Sequence, residues 1–148
     1  MVEARLDRGD PADQGMEMKA GIEQPRVLLV DDNADTREMY GEYLKFCGFD
    51  VIEAANGIEA LQQALESAPD IILMDMSMPV MDGWEATRRL KSDHRTAGIP
   101  IVALTSHALA GVSAGAVQAG CDAVLTKPCL PQDLVKEIRK ILLQFAVR

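Results

Sequence analysis

Five residues, Asp31, Asp32, Asp75, Thr105 and Lys127, have the types and the placement to do chemistry together. Each stands at or just past the end of a short apolar run. Val27 to Val30 leads into Asp31-Asp32, Ile71 to Met74 into Asp75, Ile101 to Leu104 into Thr105, and Ala123 to Leu125 into Thr126-Lys127-Pro128. Uninterrupted apolar runs of this length fit strands buried on both faces. In an open α/β sheet, reactive groups and ligands gather beyond the carboxyl ends of the strands. Three carboxylates crowded there repel one another and need a proton or a cation to coexist. Mg2+ suits them, because it takes carboxylate and water oxygens and commonly completes its shell with a phosphate. A lysine and a hydroxyl at the same edge complete a set suited to phosphoryl transfer: metal, ammonium and hydroxyl around an oxyanion. A carboxylate can itself attack phosphorus to give an acyl phosphate, and Asp75, on the central strand, is the candidate. Each residue also has a plain structural reading, as a turn acid, a helix cap at Thr105 or a solvated charge at Lys127.

The elements that must position these residues alternate along the chain. Between the apolar runs, residues 35–47 place Met39, Tyr40, Tyr43, Leu44 and Cys47 on one helical face, which Gly48 ends. Val51-Ile52 is a short second strand. Ile58, Leu61 and Leu65 share a face of a helix that stops before Pro69, and Trp84, Thr87, Arg88 and Leu90 lie in a third helix bracketed by Gly98 and Pro100. A fourth helix at 108–119 carries no charge and contains Gly111 and Gly115, each costing about 1 kcal/mol relative to alanine, so it should be marginal and covered by a partner or a second copy, or mobile. The last helix, 133–145, turns Leu134, Ile138, Ile141, Leu142 and Phe145 inward. Five strands alternating with five helices imply a parallel sheet covered on both faces, and right-handed crossovers put all the strand ends on one edge.

At 148 residues the chain is of single-domain size. Residues 1–24 read as a loosely ordered acidic leader with a short amphipathic stretch at 16–22, and residues 25–148 as the folded domain. No apolar run approaches the ~20 residues of a membrane span and the N-terminus lacks signal-peptide order, so a cytoplasmic location is expected. Cys47, Cys121 and Cys129 have no CxxC spacing, which favours reduced thiols over a disulfide frame or a sulfur-ligated metal. A formal net charge of -8 disfavours nonspecific nucleic-acid binding.

With VLLVDDN at the first strand, IILMDMSMPVMDG at the third, PIVALTSHA at the fourth and LTKP at the fifth, the chain from Arg26 onward resembles a response-regulator receiver domain of the two-component family. The resemblance implies a doubly wound, flavodoxin-like five-stranded parallel sheet of order 2-1-3-4-5 with helices on both faces. It further implies phosphorylation of Asp75 by a sensor histidine kinase or histidine phosphotransfer protein. Mg2+, or Mn2+ in its place, would be held by Asp32, Asp75 and the Ser77 backbone carbonyl, with Asp31 assisting through water. Thr105 and Lys127 would contact the phosphoryl oxygens, Ser77 and His107 would modulate the lifetime of the phosphoryl group, and the peptide before Pro128 would be cis. Relatives commonly dimerise through the fourth helix, fifth strand and fifth helix.

One departure stands out. The aromatic residue that relatives carry three positions before the lysine is Val124 here, and valine's single stiff torsion cannot reproduce a swinging ring. No output domain is expected after residue 145, so a signal would leave by protein contact or onward phosphotransfer, whether the unit stands alone or belongs to a hybrid kinase. The resemblance makes the chain a signalling phosphoacceptor rather than an enzyme acting on an external substrate. Two alternatives are an interaction module independent of phosphorylation and an aspartyl-phosphate hydrolase. The hydrolase would want an acid where Ser77 stands.

Overall fold

All five apolar runs form strands. The computed structural model describes residues 24–78, 80–106 and 119–146. In chain order these form β1 (Arg26–Val30), α1 (Ala34–Phe46), β2 (Asp50–Ala54), α2 (Gly57–Ser67), β3 (Ile71–Asp75), α3 (Gly83–Ser92), β4 (Ile101–Thr105), β5 (Ala123–Thr126) and α4 (Pro131–Ala146). The helix read last from the sequence is therefore α4. Residues 1–23, Pro79, His107 and nearly all of the uncharged helix at 108–119 lie outside the described residues.

The sheet is parallel throughout, in the order β2-β1-β3-β4-β5. Its register sets Val30 beside Met74, Asp75 beside Leu104, and Thr105 beside Thr126, so the reactive candidates end on one line. Alternation along each strand divides the apolar side chains between two cores. Leu28, Val30, Ile72, Met74 and Ala103 pack with Ala60, Ala64, Ala86 and Leu90 on the α2 and α3 side. Val27, Leu29, Ile71, Leu73, Val102 and Leu104 pack with Tyr40, Leu44, Leu134 and Ile138 on the α1 and α4 side. With both faces covered, β1, β3 and β4 have to be apolar along nearly their whole length.

The helix boundaries follow local chemistry. Asn33, Asn56 and Asp82 cap α1, α2 and α3, each side chain accepting the N–H three residues on. Gly48 leaves α1 at a φ of 99°, where only glycine is unstrained. The third helix is shorter than expected and stops at Ser92, because Thr96 folds the chain back: its hydroxyl donates to the Leu90 carbonyl at 2.7 Å and its N–H to the Asp93 carbonyl at 2.9 Å.

Two expected helix faces need correction. In α2 the buried side is Gly57, Ala60 and Ala64, while Ile58 and Leu65 are both nearly half exposed. Small residues bring that helix close to the sheet, and its larger side chains flank the contact. Met39 of α1 is also nearly half exposed. Arg88 lies outside and pairs with Glu85 at 3.1 Å. In α4, Leu134, Ile138 and Ile141 are buried, and Leu142 and Phe145 partly so, as read. The three cysteines are free thiols. Among the described residues no helix is long and apolar enough to cross a membrane.

Candidate functional site

The carboxyl edge of the sheet brings Asp31, Asp32 and Asp75 together, with one carboxylate oxygen of each lying within 4.8 Å of the others. Asp31 and Asp75 are buried and Asp32 is exposed, so Asp32 forms the solvent side of the cluster.

Asp31 is tied at every polar atom. Its N–H donates to the Ala54 carbonyl at 3.1 Å. Its Oδ1 accepts the Asn33 N–H at 2.9 Å, its Oδ2 the Lys127 ammonium at 3.0 Å, and its carbonyl the Arg37 guanidinium at 2.6 Å. Arg37 is itself held by Glu53 of β2 at 3.0 Å. Asp75 repeats half of this arrangement. Its Oδ1 accepts the Ser77 N–H at 3.1 Å and lies 3.7 Å from Lys127 Nζ. Among the described residues no hydrogen bond is made to its Oδ2. The carboxylate is thus oriented through one oxygen while the other stays available.

Burial raises the pKa of Asp75 above the usual aspartate value. The Ser77 amide and Lys127 oppose that shift, and the charges of Asp31 and Asp32 add to it. Burial alone would lower the pKa of Lys127, but its hydrogen bond to Asp31 and the charges of Asp75 and Asp31 outweigh this and leave it raised. The ammonium therefore stays charged beside a net negative cluster. Three hard oxygen donors with one ammonium among them fit a hard divalent cation, which would relieve the repulsion that remains.

The loop after Asp75 is shaped to let α3 begin against it. A Cβ on Gly83 would overlap the Asp75 carbonyl oxygen, so the Asp82-Gly83 pair serves both as helix cap and as close backbone contact. Val80 in the same loop is exposed at a φ of 69°, an unusual conformation for a β-branched residue.

Thr105 is buried as the last residue of β4, and its carbonyl accepts the Lys127 N–H at 2.7 Å, which fixes the start of the lysine segment. The Lys127-Pro128 peptide is cis. Ser77 is exposed beside the cluster, and Val124 is partly buried against the α2 and α3 core. His107 is outside the described residues.

Sequence reasoning missed Asn33, Arg37 and Tyr40. Asn33 had a signal, an Asx residue at a strand-to-helix junction. Arg37 and Tyr40 had none, because they act on main-chain carbonyls, which have no sequence signature.

Comparison with known proteins settles the family. Residues 27–139 match the response regulator receiver domain model. The chain belongs to the response-regulator receiver family. This receiver is 34% identical over 116 residues to the polar-differentiation response regulator DivK of Brucella anthropi, with 78% of this chain and 94% of the relative covered. Among solved structures it is similar to the CheY-like receiver domain protein of Methanospirillum hungatei, with a TM-score of 0.78, 28% identity, and 83% and 97% of the two chains covered. It is also similar to the chemotaxis protein CheY4 of Vibrio cholerae, with a TM-score of 0.76, 31% identity, and 80% and 98% covered. The receiver fold accounts for the sheet order and the acidic edge together.

Proposed function

We infer that this receiver is the phosphoacceptor of a two-component or phosphorelay pathway and that Asp75 carries the phosphoryl group. The observation behind this is the asymmetry of Asp75 at the carboxyl edge of a receiver fold: Oδ1 is fixed by the Ser77 amide and lies 3.7 Å from the Lys127 ammonium, while among the described residues Oδ2 accepts no hydrogen bond. Oδ2 attacks the phosphorus of a phosphohistidine. A P–O bond forms, the P–N bond breaks, and the released imidazole keeps the electron pair and takes a proton from water. Lys127 and the Thr105 hydroxyl take up charge on the phosphoryl oxygens. Asp32, Asp75 and the Ser77 carbonyl, with Asp31 through water, would hold Mg2+ or Mn2+, which supplies charge neutralisation at the phosphoryl group.

The donor would be a sensor histidine kinase or a histidine phosphotransfer protein. Ile58, Val80 and Leu130, exposed in the loops or first helical turns of this edge, and Met39, exposed in the second turn of α1, offer it apolar footing. Ser77 and His107 would tune phosphoryl lifetime. With Val124 in place of a ring, the activated state would be transmitted through the backbone of β4 and β5 to a downstream protein or a second copy.

The test is intact mass after incubation with acetyl phosphate, with and without Mg2+. Wild type should gain one phosphoryl group only with the metal, and Asp75→Asn should gain none. Equal labelling of Asp75→Asn, or no labelling of wild type even by a phosphohistidine protein, would remove the assignment.

A further inference from the structure

Among the described residues, the segment that carries Lys127 has few main-chain anchors. Its inner end is pinned where the Lys127 N–H meets the Thr105 carbonyl at 2.7 Å. Pro128 has no N–H to give. The next main-chain group held by the body of the protein is the Cys129 carbonyl, which accepts the Tyr40 hydroxyl at 2.6 Å across 89 residues of sequence. Tyr40 is an anchored post. Its ring is buried in the core between α1, the sheet and α4, in the same cluster as Leu44, Leu104 and Leu134. Burial also raises the phenol's pKa, so the hydroxyl remains a donor. Two carbonyl contacts from α1 thus reach the site: Arg37 holds Asp31 at 2.6 Å, and Tyr40 holds the segment whose lysine bridges Asp31 and Asp75.

We propose that Tyr40 is a positioning residue for phosphoryl transfer, fixing the Lys127-Pro128-Cys129 segment from α1 so that the Lys127 ammonium stays between Asp31 and Asp75. It touches neither the phosphoryl group nor the metal and acts through Lys127. The proposal rests on Asp75 being the phosphoacceptor.

Tyr40→Phe keeps the ring and removes only the hydroxyl. Acetyl phosphate labelling should slow about three- to tenfold, the size expected from losing one orienting hydrogen bond. Mg2+ affinity, titrated by Trp84 fluorescence, should not weaken, because the three carboxylates are untouched. In a Lys127→Ala background the further loss from Tyr40→Phe should disappear. The same fold loss in both backgrounds, or a fall in Mg2+ affinity matching the fall in rate, would show that Tyr40 only supports the fold and overturn the proposal. Absence of labelling in wild type would instead remove the Asp75 assignment. The thermal-stability cycle of the same four proteins then decides on Tyr40: coupling between positions 40 and 127 supports it, and additivity refutes it.

Discussion

At the amino edge of the sheet, Asp50, Asp70 and Asp122 each have a cation or a backbone N–H to serve. At the carboxyl edge, among the described residues, Asp31 and Asp75 share Lys127 and Asp32 has no ion pair. On the amino side, Arg26 pairs with Asp50 at 2.8 Å and also donates to the Ser67 carbonyl, while its own N–H donates to Asp70 at 2.7 Å. Asp122 accepts the Ile101 N–H at 2.8 Å and Lys91 at 3.1 Å. Asp70 and Asp122 thus accept the first N–H of β1 and of β4, while Asp50 holds the Arg26 guanidinium. On the carboxyl side the charge stays unbalanced, and among the described residues one oxygen of Asp75 has no hydrogen-bond partner. The same residue type therefore stabilises one end of the sheet and strains the other. Burial of charge costs free energy unless it is matched: the amino-edge acids keep contact with solvent, whereas Asp31 and Asp75 are buried side by side.

The largest effect should come from breaking the amino edge. Asp122→Ala strips the buried Ile101 N–H of its acceptor, and such an orphaned group costs about 1 to 3 kcal/mol, seen as a lower urea midpoint. Unchanged stability would mean that water replaces the carboxylate and that the two edges are less different than they look.

The opposite sign is expected at the carboxyl edge. Without divalent metal, Asp75→Asn should stabilise the fold at neutral pH, seen as a higher melting temperature, since it removes a buried charge that the carboxylates of Asp31 and Asp32 disfavour. Because the folded pKa of Asp75 is raised, the folded state holds this proton more tightly than the unfolded chain. That contribution is fully present below the ordinary aspartate pKa and is lost as pH rises through the folded value. The advantage of the asparagine variant should therefore shrink on acidification. Mg2+ should raise the melting temperature of wild type and leave Asp75→Asn nearly unmoved.

The smallest effect separates the edges by pH. Cys121, next to Asp122, has its thiol pushed up to about 11, chiefly by burial. The folded state keeps this proton too, so the stability it lends holds below the ordinary thiol pKa and drains away as pH climbs toward 11. Alkylation of Cys121 by iodoacetamide at pH 8 should accordingly be slow in the folded protein and fast in urea. Equal rates would show the thiol to be open to solvent.

The sequence made the site residues legible because each closes an apolar run, and a parallel sheet turns that pattern into a shared edge. Strand identity and order followed from the same runs and from the motif resemblance. The buried face of α2 was not legible. Hydrophobic periodicity weights Ile58 and Leu65 above Ala60 and Ala64, whereas the tight approach of that helix to the sheet selects for smallness. The pairing of Lys127 with Asp31, closer than with Asp75, was equally hidden, because the strand order sets β5 nearer to β3 than to β1.

The tether between Asp75 Oδ1 and the Ser77 amide bears on handedness. A free carboxylate has two interchangeable oxygens, and rotation about its bond to Cβ swaps them. Here the amide removes that symmetry, so an electrophile meets one oxygen from one side. Under the phosphoacceptor role proposed for Asp75, the covalent product would take a single geometric form, and a protein that reads it would have one shape to recognise.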